Sequence, residues 1–132
     1  MRKRILVREV MQDHYLMIDG LATVSEALAM LREGDATTLI VNKRDEHDEY
    51  GVVLLSDIAK KVLARDKHPD RVNVYEIMSK PVISVSADMD VRYCSRLFEQ
   101  FGLSSAPVTE GAEIIGIVDY RALVIHGLAK LY

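Results

Sequence analysis

Few side chains in this chain of 132 residues stand where chemistry is possible, and the spacing around one of them is the most informative. In Gly51-Val52-Val53-Leu54-Leu55-Ser56-Asp57-Ile58, an apolar, β-rich run leads into a hydroxyl and a carboxylate at the start of a helical pattern. The first N–H groups of a helix lack intrahelical partners, so such a turn can either hold a polar ligand or be capped by Asp57 and bind nothing. Other reactive residues are poorly placed. His14, His47, His68 and His126 show no pairing at metal-ligand spacing. Asp45-Glu46-His47-Asp48-Glu49 reads as a solvated loop of like charges, not as a cation site. The lone cysteine, Cys94, falls on the apolar side of a helical pattern, which fits a buried, unreactive thiol. No Ser/His/Asp or Cys/His set lies in a catalytic motif, and no glycine-rich phosphate fingerprint is present. An enzyme therefore has no foothold, and neither a metal nor a required cofactor is implied.

Composition narrows the field further. Hydrophobic residues make up 49% and charged residues 28%, as expected of one folded globular unit. A net charge of −3 offers no broad basic footprint for nucleic acid; only Arg2, Lys3 and Arg4 cluster, and a short basic terminus is ordinarily just solvated. No apolar run approaches the roughly 20 residues of a membrane span, and the N-terminus lacks a secretory pattern. The expectation is a cytoplasmic protein without nucleic-acid or membrane partners.

The elements that must position Asp57 occur twice. Moving residues 7 to 41 forward by 67 positions lays Val7, Glu9, Met11, Val24 and Val41 onto Val74, Glu76, Met78, Val91 and Val108. After a two-residue shortening, Gly51-Val52-Val53 meets Gly116-Ile117-Val118 at an offset of 65. In the first copy, a strand at Leu16 to Ile18 precedes a helix announced by the capping box Thr23-x-x-Glu26, carried by the apolar stripe Val24, Ala27, Leu28 and Leu31, and ended by Gly34. Strands at Leu39 to Val41 and Gly51 to Leu55 follow, then a helix from about Asp57 to Ala64 and a charged, Pro-marked connector. The second copy repeats the order: a strand at Val82 to Val85, a helix capped by Asp88, strands at Ala106 to Val108 and Ile114 to Asp119, and a closing helix from about Arg121 to Lys130. Each copy is β-α-β-β-α, which gives an α/β fold of two repeats, 1–66 and 67–132. Units of about 60 residues are marginal alone, so each should need its sister. In the closing helix, Ala122, Leu123, Ile125 and Leu128 must pack on the seam or on another chain, which hints at oligomerisation.

The Gly51–Ile58 run, together with Ile77-Met78-Ser79-Lys80-Pro81-Val82 at the head of the second copy, resembles the tandem CBS-domain proteins, or Bateman modules. Their strand-to-helix signature has the form G-h-h-T-x-x-D-h, where h is apolar. The resemblance covers essentially residues 5 to 130. It implies two repeats packed about a pseudo-twofold axis, two clefts for AMP, ADP, ATP or S-adenosylmethionine, and a homodimer that regulates an unknown partner protein.

Carried onto this chain, the resemblance makes Asp57 the ribose-binding carboxylate, with Ser56 beside it and Leu54 where a phosphate-contacting Thr or Ser is expected. A carboxylate can accept from both ribose hydroxyls, and free first-turn N–H groups favour phosphate. Val74, Ile77 and Met78 should surround the base, with Leu103 and Ser104 closing the cleft. A second cleft would use Thr37, Thr38, Asp119 and Arg121, but Ala122 replaces its ribose carboxylate and Asp119 would repel phosphate. The reading is a non-enzymatic adenine-nucleotide or energy sensor with one good site. The alternative is a ligand-free module for dimerisation or protein interaction.

Overall fold

The computed structural model of the chain describes residues 3–80 and 82–132; Arg2 of the basic cluster and Pro81 of the second-copy entry lie outside the described residues. A single helical turn, α1 (Val7–Val10), leads to β1 (Met17–Ile18), α2 (Val24–Gly34), β2 (Thr38–Val41), β3 (Gly51–Leu54) and α3 (Leu55–Ile58), which continues as a π-helix over Ala59–Leu63. Two 3₁₀ turns, Pro69–Arg71 and Val74–Glu76, precede β4 (Val85–Ser86), α4 (Val91–Phe101), β5 (Ser105–Glu110) and β6 (Glu113–Asp119). A π-helix over Ala122–Leu128 and a last turn, α5 (Ala129–Leu131), close the chain. The β-α-β-β-α order holds in both copies. No helix among the described residues is long and apolar enough to cross a membrane.

Packing divides the chain differently from its repeats. Leu16–Val82 forms one compact unit, and residues 3–15 join Ile83–Tyr132 in the other. In Leu16–Val82, β1 runs parallel to β2 and β3 antiparallel to it, with Thr38 opposite Leu54 and Val41 opposite Gly51. Ser79 adds a bridge to the free edge, exchanging both backbone hydrogen bonds with Val52 at 3.0 and 2.9 Å. The other unit repeats the plan: β4 is parallel to β5, β6 is antiparallel, and Gln12 bridges Ile117 at 2.8 and 2.9 Å. Each sheet is thus extended by the segment that leads into the other repeat. Glycine makes room for both leads, since a Cβ on Gly51 would lie 2.9 Å from Met78 Sδ and one on Gly116 only 2.5 Å from the Gln12 carbonyl oxygen.

Local sequence explains most boundaries. The Thr23 hydroxyl accepts from Glu26 N–H at 3.2 Å and the Glu26 carboxylate from Thr23 N–H at 2.9 Å, the reciprocal bonds that the spacing predicts. Gly34 is the last residue of α2, as expected, but the left-handed residue that turns the chain is the next one, Asp35, with φ 48°. Two expectations need correction. The cap of α4 is Asp90, which accepts from Arg92 N–H at 2.8 Å, whereas Asp88 is drawn off by Arg8 at 2.9 Å. Finally, α3 begins at Leu55, two residues before Asp57.

Each unit has its own core. Val24, Ala27 and Leu31 of α2 pack with Leu39, Val41 and Val53 of the sheet, beneath Ile58, Val62, Val72, Val74 and Ile77. Val91, Cys94 and Phe98 of α4 take the same place in the other unit, with Val7, Val10, Val108, Val118, Ala122 and Leu123. Ala122 and Leu123 of the closing helix therefore pack on their own unit, while Ile125 and Leu128 remain about half exposed. Cys94 is fully buried, and desolvation pushes its thiol up to about 11. The inert reading fits that environment.

Candidate functional site

The strand-to-helix turn at Asp57 is built by β3, which delivers Leu54 opposite Thr38 and then coils at once into α3. Leu54 N–H donates to Asp57 Oδ2 at 2.8 Å, so the carboxylate reaches back over the turn from the third helical residue. Asp57 is not the N-cap: it supplies the acidic half of a capping box whose other half, an apolar Leu54 side chain, cannot accept. Asp57 Oδ1 lies 3.8 Å from Lys61 Nζ, and the side chain is 15% exposed. Lys61 in turn donates to the Ile77 carbonyl at 3.0 Å. The helix is thereby tied to the segment after the Val74–Glu76 turn. Lys61 was not singled out from sequence, although an acid four residues before a lysine on a helix is a recognisable pairing.

The remaining predicted residues fall into two groups. Leu54, Ser56, Asp57, Val74, Ile77 and Met78 all belong to the Leu16–Val82 unit; Leu103 and Ser104 belong to the other. Ser56 is exposed and carries its hydroxyl on the first turn of α3. Val74 and Ile77 are buried at 0% and 3% exposure in the core, so they shape a wall only from beneath, while partly buried Met78 retains an accessible surface. Leu103 follows the left-handed Gly102 and donates its N–H to the Phe98 carbonyl at 2.9 Å, leaving Ser104 exposed at the entry to β5.

The residues of the second predicted cleft are similarly divided. Thr37 is exposed, and its carbonyl accepts from Leu55 N–H at 3.2 Å; Thr38 is buried in β2. In the other unit, Asp119 Oδ1 accepts from Ala122 N–H at 2.9 Å, and Arg121 is exposed. Asp119 therefore caps its helix from the strand side, whereas Asp57 caps the matching turn from the helix side. Between them the two copies use the two halves of one capping box.

The acidic loop also differs from expectation. Asp48 is not simply solvated: its side chain is 9% exposed, paired with Lys80, and accepts from Arg44 N–H at 2.8 Å. The Lys80 hydrogen bond, then the Arg44 N–H, hold its carboxyl well below the usual carboxylate range. Among the described residues, no group of three or more His, Cys, Asp or Glu could hold a metal ion.

The family model for the CBS domain matches residues 7–64 and 74–127, two copies that take in most of the chain. The chain belongs to the CBS-domain family. An uncharacterized protein of Methanopyrus kandleri is 35% identical over 102 residues, covering 76% of this chain and 51% of that protein. Another, from Methanocaldococcus jannaschii, is 23% identical over 83% of this chain and 59% of its own length. This CBS-domain chain thus spans about half the length of the curated relatives it matches. Among solved structures, a hexameric CBS-CP12 protein from bloom-forming cyanobacteria is similar with a TM-score of 0.90 and 36% identity, over 93% of this chain and 71% of that one. The CBS domain pair of protein MJ0100, solved in complex with 5′-methylthioadenosine and S-adenosyl-L-methionine, shares the fold with a TM-score of 0.82 at 24% identity, over 97% of this chain and 99% of that one.

Proposed function

We propose that this chain is a non-enzymatic regulatory module that binds an adenosine-containing ligand at the Asp57 turn and passes the bound state to a partner protein. The observation that carries the reading is the carboxylate: one oxygen is held by Leu54 N–H at 2.8 Å, and the other faces the Lys61 amine at a loose 3.8 Å. A fixed carboxylate with acceptor capacity to spare suits a pair of ribose hydroxyls. The adenosyl ligands of the MJ0100 pair support the class of ligand. Leu54 offers no hydroxyl for a phosphate, which favours adenosyl compounds without a phosphate chain, with Ser56 the nearest substitute. Within the Leu16–Val82 unit, Met78 is the remaining contact in this reading, and Val74 and Ile77 hold the wall in place. Asp119, the counterpart of Leu54 in the other unit, already serves its own helix and is the poorer candidate for a ligand.

Isothermal titration of AMP, ADP, ATP, 5′-methylthioadenosine and S-adenosylmethionine against the wild type and Asp57→Ala tests the reading. Binding that is lost or weakened in the variant supports it; unchanged affinity removes the role of Asp57. A specific observation favours a second reading, a homodimerising module without ligand: Val124, Ile125 and Leu128 are 46%, 54% and 51% exposed on one short helix. Thermal melting separates the two, because a ligand at 100 times its Kd adds about 2.7 kcal/mol of stability. No shift at millimolar adenosyl compound leaves only the interaction module.

A further inference from the structure

The duplication supplies an internal control for a hollow that lies away from Asp57. In the unit holding residues 3–15, the Arg8 guanidinium lies 2.9 Å from Asp88 and 2.6 Å from Glu110, tying the loop after β4 to the end of β5. The positions 67 residues away are Tyr75, Leu21 and Lys43, and no such clasp forms there. Tyr75 and Leu21 are 52% and 74% exposed, and the Lys43 amine sits 4.8 Å over the Tyr50 ring. Where its twin is bridged, the Leu16–Val82 unit has a cleft of about 890 Å3. That volume suits a small organic molecule.

Its chemistry has two parts. Val41, Met78, Leu21 and Tyr75 supply an apolar and aromatic surface. Of the charges on the rim, Lys80 is taken by Asp48, and Asp19 accepts from Leu21 N–H at 2.8 Å within its own turn. Lys43, over the Tyr50 ring, and Arg44 remain; the Arg44 side chain is 81% exposed and its guanidinium meets Asp48 through Nε at 3.4 Å. Two exposed cations beside an aromatic surface select an anion attached to a ring.

We propose that this cleft binds a small organic anion, a flat ring bearing one acidic group, with the ring on Tyr75, Val41 and Met78 and the acid at Lys43 and Arg44. The site is separate from the Asp57 turn. Val41 and Thr38 end β2 on opposite sides, about 10 Å apart at strand rise, with Leu54 paired to Thr38. Of the residues assigned to the adenosyl ligand, Met78 alone lines the cleft.

The test titrates the full chain with anilinonaphthalene sulfonate, a fluorescent ring anion, and then displaces it with salicylate or phenyl phosphate. The proposal expects saturable binding at one site. Replacing the three positions by their twins' residues, Leu21→Asp, Lys43→Glu and Tyr75→Arg together, should rebuild the clasp and weaken binding about ten-fold. Lys43→Glu alone, at an exposed position, should weaken it about five-fold and decides the matter if the triple variant does not fold. Asp57→Ala should leave probe affinity unchanged, so failure here is distinguishable from failure of the adenosyl reading. Displacement by salicylate assigns a carboxylate ligand and displacement by phenyl phosphate a phosphorylated one. Affinity unchanged in Lys43→Glu, weakened in Asp57→Ala, or displaced by neither competitor overturns the proposal.

Discussion

The paired glycines allow one substitution to be made twice in the same fold with different expected costs. In Gly116→Ala, the new Cβ would lie 2.5 Å from the Gln12 carbonyl oxygen and 2.9 Å from Met11 Sδ. The first neighbour is backbone, so the lead must move off the edge of β6. That breaks both bonds of the Gln12–Ile117 bridge, at about 0.5–1.5 kcal/mol each. Against this stands a gain of about 0.5–1 kcal/mol from restricting the unfolded chain. With the displacement of Met11 from its contact with the core, the net is a destabilisation of about 2 kcal/mol, or roughly 8 °C in Tm for a chain of this size.

Gly51→Ala meets softer neighbours. The nearest atom is Met78 Sδ at 2.9 Å, the end of an adaptable side chain, and the Ser79 carbonyl oxygen stands at 3.2 Å. A shift of a few tenths of an ångström relieves both, so the cost should be within about 0.5 kcal/mol of zero after the same unfolded-state gain. Urea and thermal unfolding followed by circular dichroism, on both variants under one condition, read the difference. If Gly51→Ala proves as damaging as Gly116→Ala, backbone crowding does not set the requirement for glycine and the account of the leads is wrong.

Acid titration of stability probes Asp48. Its folded-state value lies below the ordinary carboxylate value, so its contribution is present above about pH 4 and is lost as the pH falls further. Asp48→Asn should flatten the acid limb of a plot of urea midpoint against pH, and an unaltered limb would deny that the Lys80 contact matters. Cys94 has the opposite sign: its raised thiol favours the folded state below about pH 9, and this is lost as the pH climbs through about 11. A thiol reagent at neutral pH should leave native Cys94 unmodified and react fully in urea; rapid native labelling would contradict its burial. Asp119→Ala removes the side chain that satisfies Ala122 N–H and should cost about 1 kcal/mol in thermal unfolding, with no effect on adenosyl affinity at the Asp57 turn.

What could be read from the residues beforehand was whatever depends on near neighbours. The Thr23–Glu26 box, the stripe Val24, Ala27 and Leu31, and the apolar runs of β2 and β3 are local signals, and each element formed within a few residues of its expected place. The misjudged features depend on partners far along the chain. Asp88 has the look of a cap, yet Arg8, 80 residues earlier, engages it, and the capping role passes to Asp90. Gly34 resembles a helix stop, but the side chain of Leu16, just before β1, lies against it. Asp48 sits in a run of like charges, and only the return of Lys80 singles it out. The repeat offset likewise could not say which sheet each lead segment would join. For the candidate site, the sequence identified the Asp57 turn but not its bond to Leu54 N–H or the tie through Lys61 to Ile77.

The cores of the two copies have stayed apolar without staying identical, as Leu39 against Ala106 shows, whereas the ends of their strands have changed in charge and polarity. Val24 and Val91, Leu31 and Phe98, Val41 and Val108, and Val53 and Val118 are matching pairs, and all are buried at 5% exposure or less. Close packing resists change at such positions, because a cavity or an overpacked side chain costs kilocalories. At one end of the sheets, Leu54 with Asp57 in one copy becomes Asp119 with Ala122 in the other. The bond that closes the turn survives, but the carboxylate moves across it, so only the first copy presents an acid from the helix side. At the opposite end, Arg8 with Asp88 and Glu110 becomes Tyr75 with Leu21 and Lys43, and an ionic bridge gives way to an aromatic hollow. Both changes keep the fold while altering what a solute would meet. On the two readings proposed above, the Leu16–Val82 unit carries the ligand-facing version of each rim.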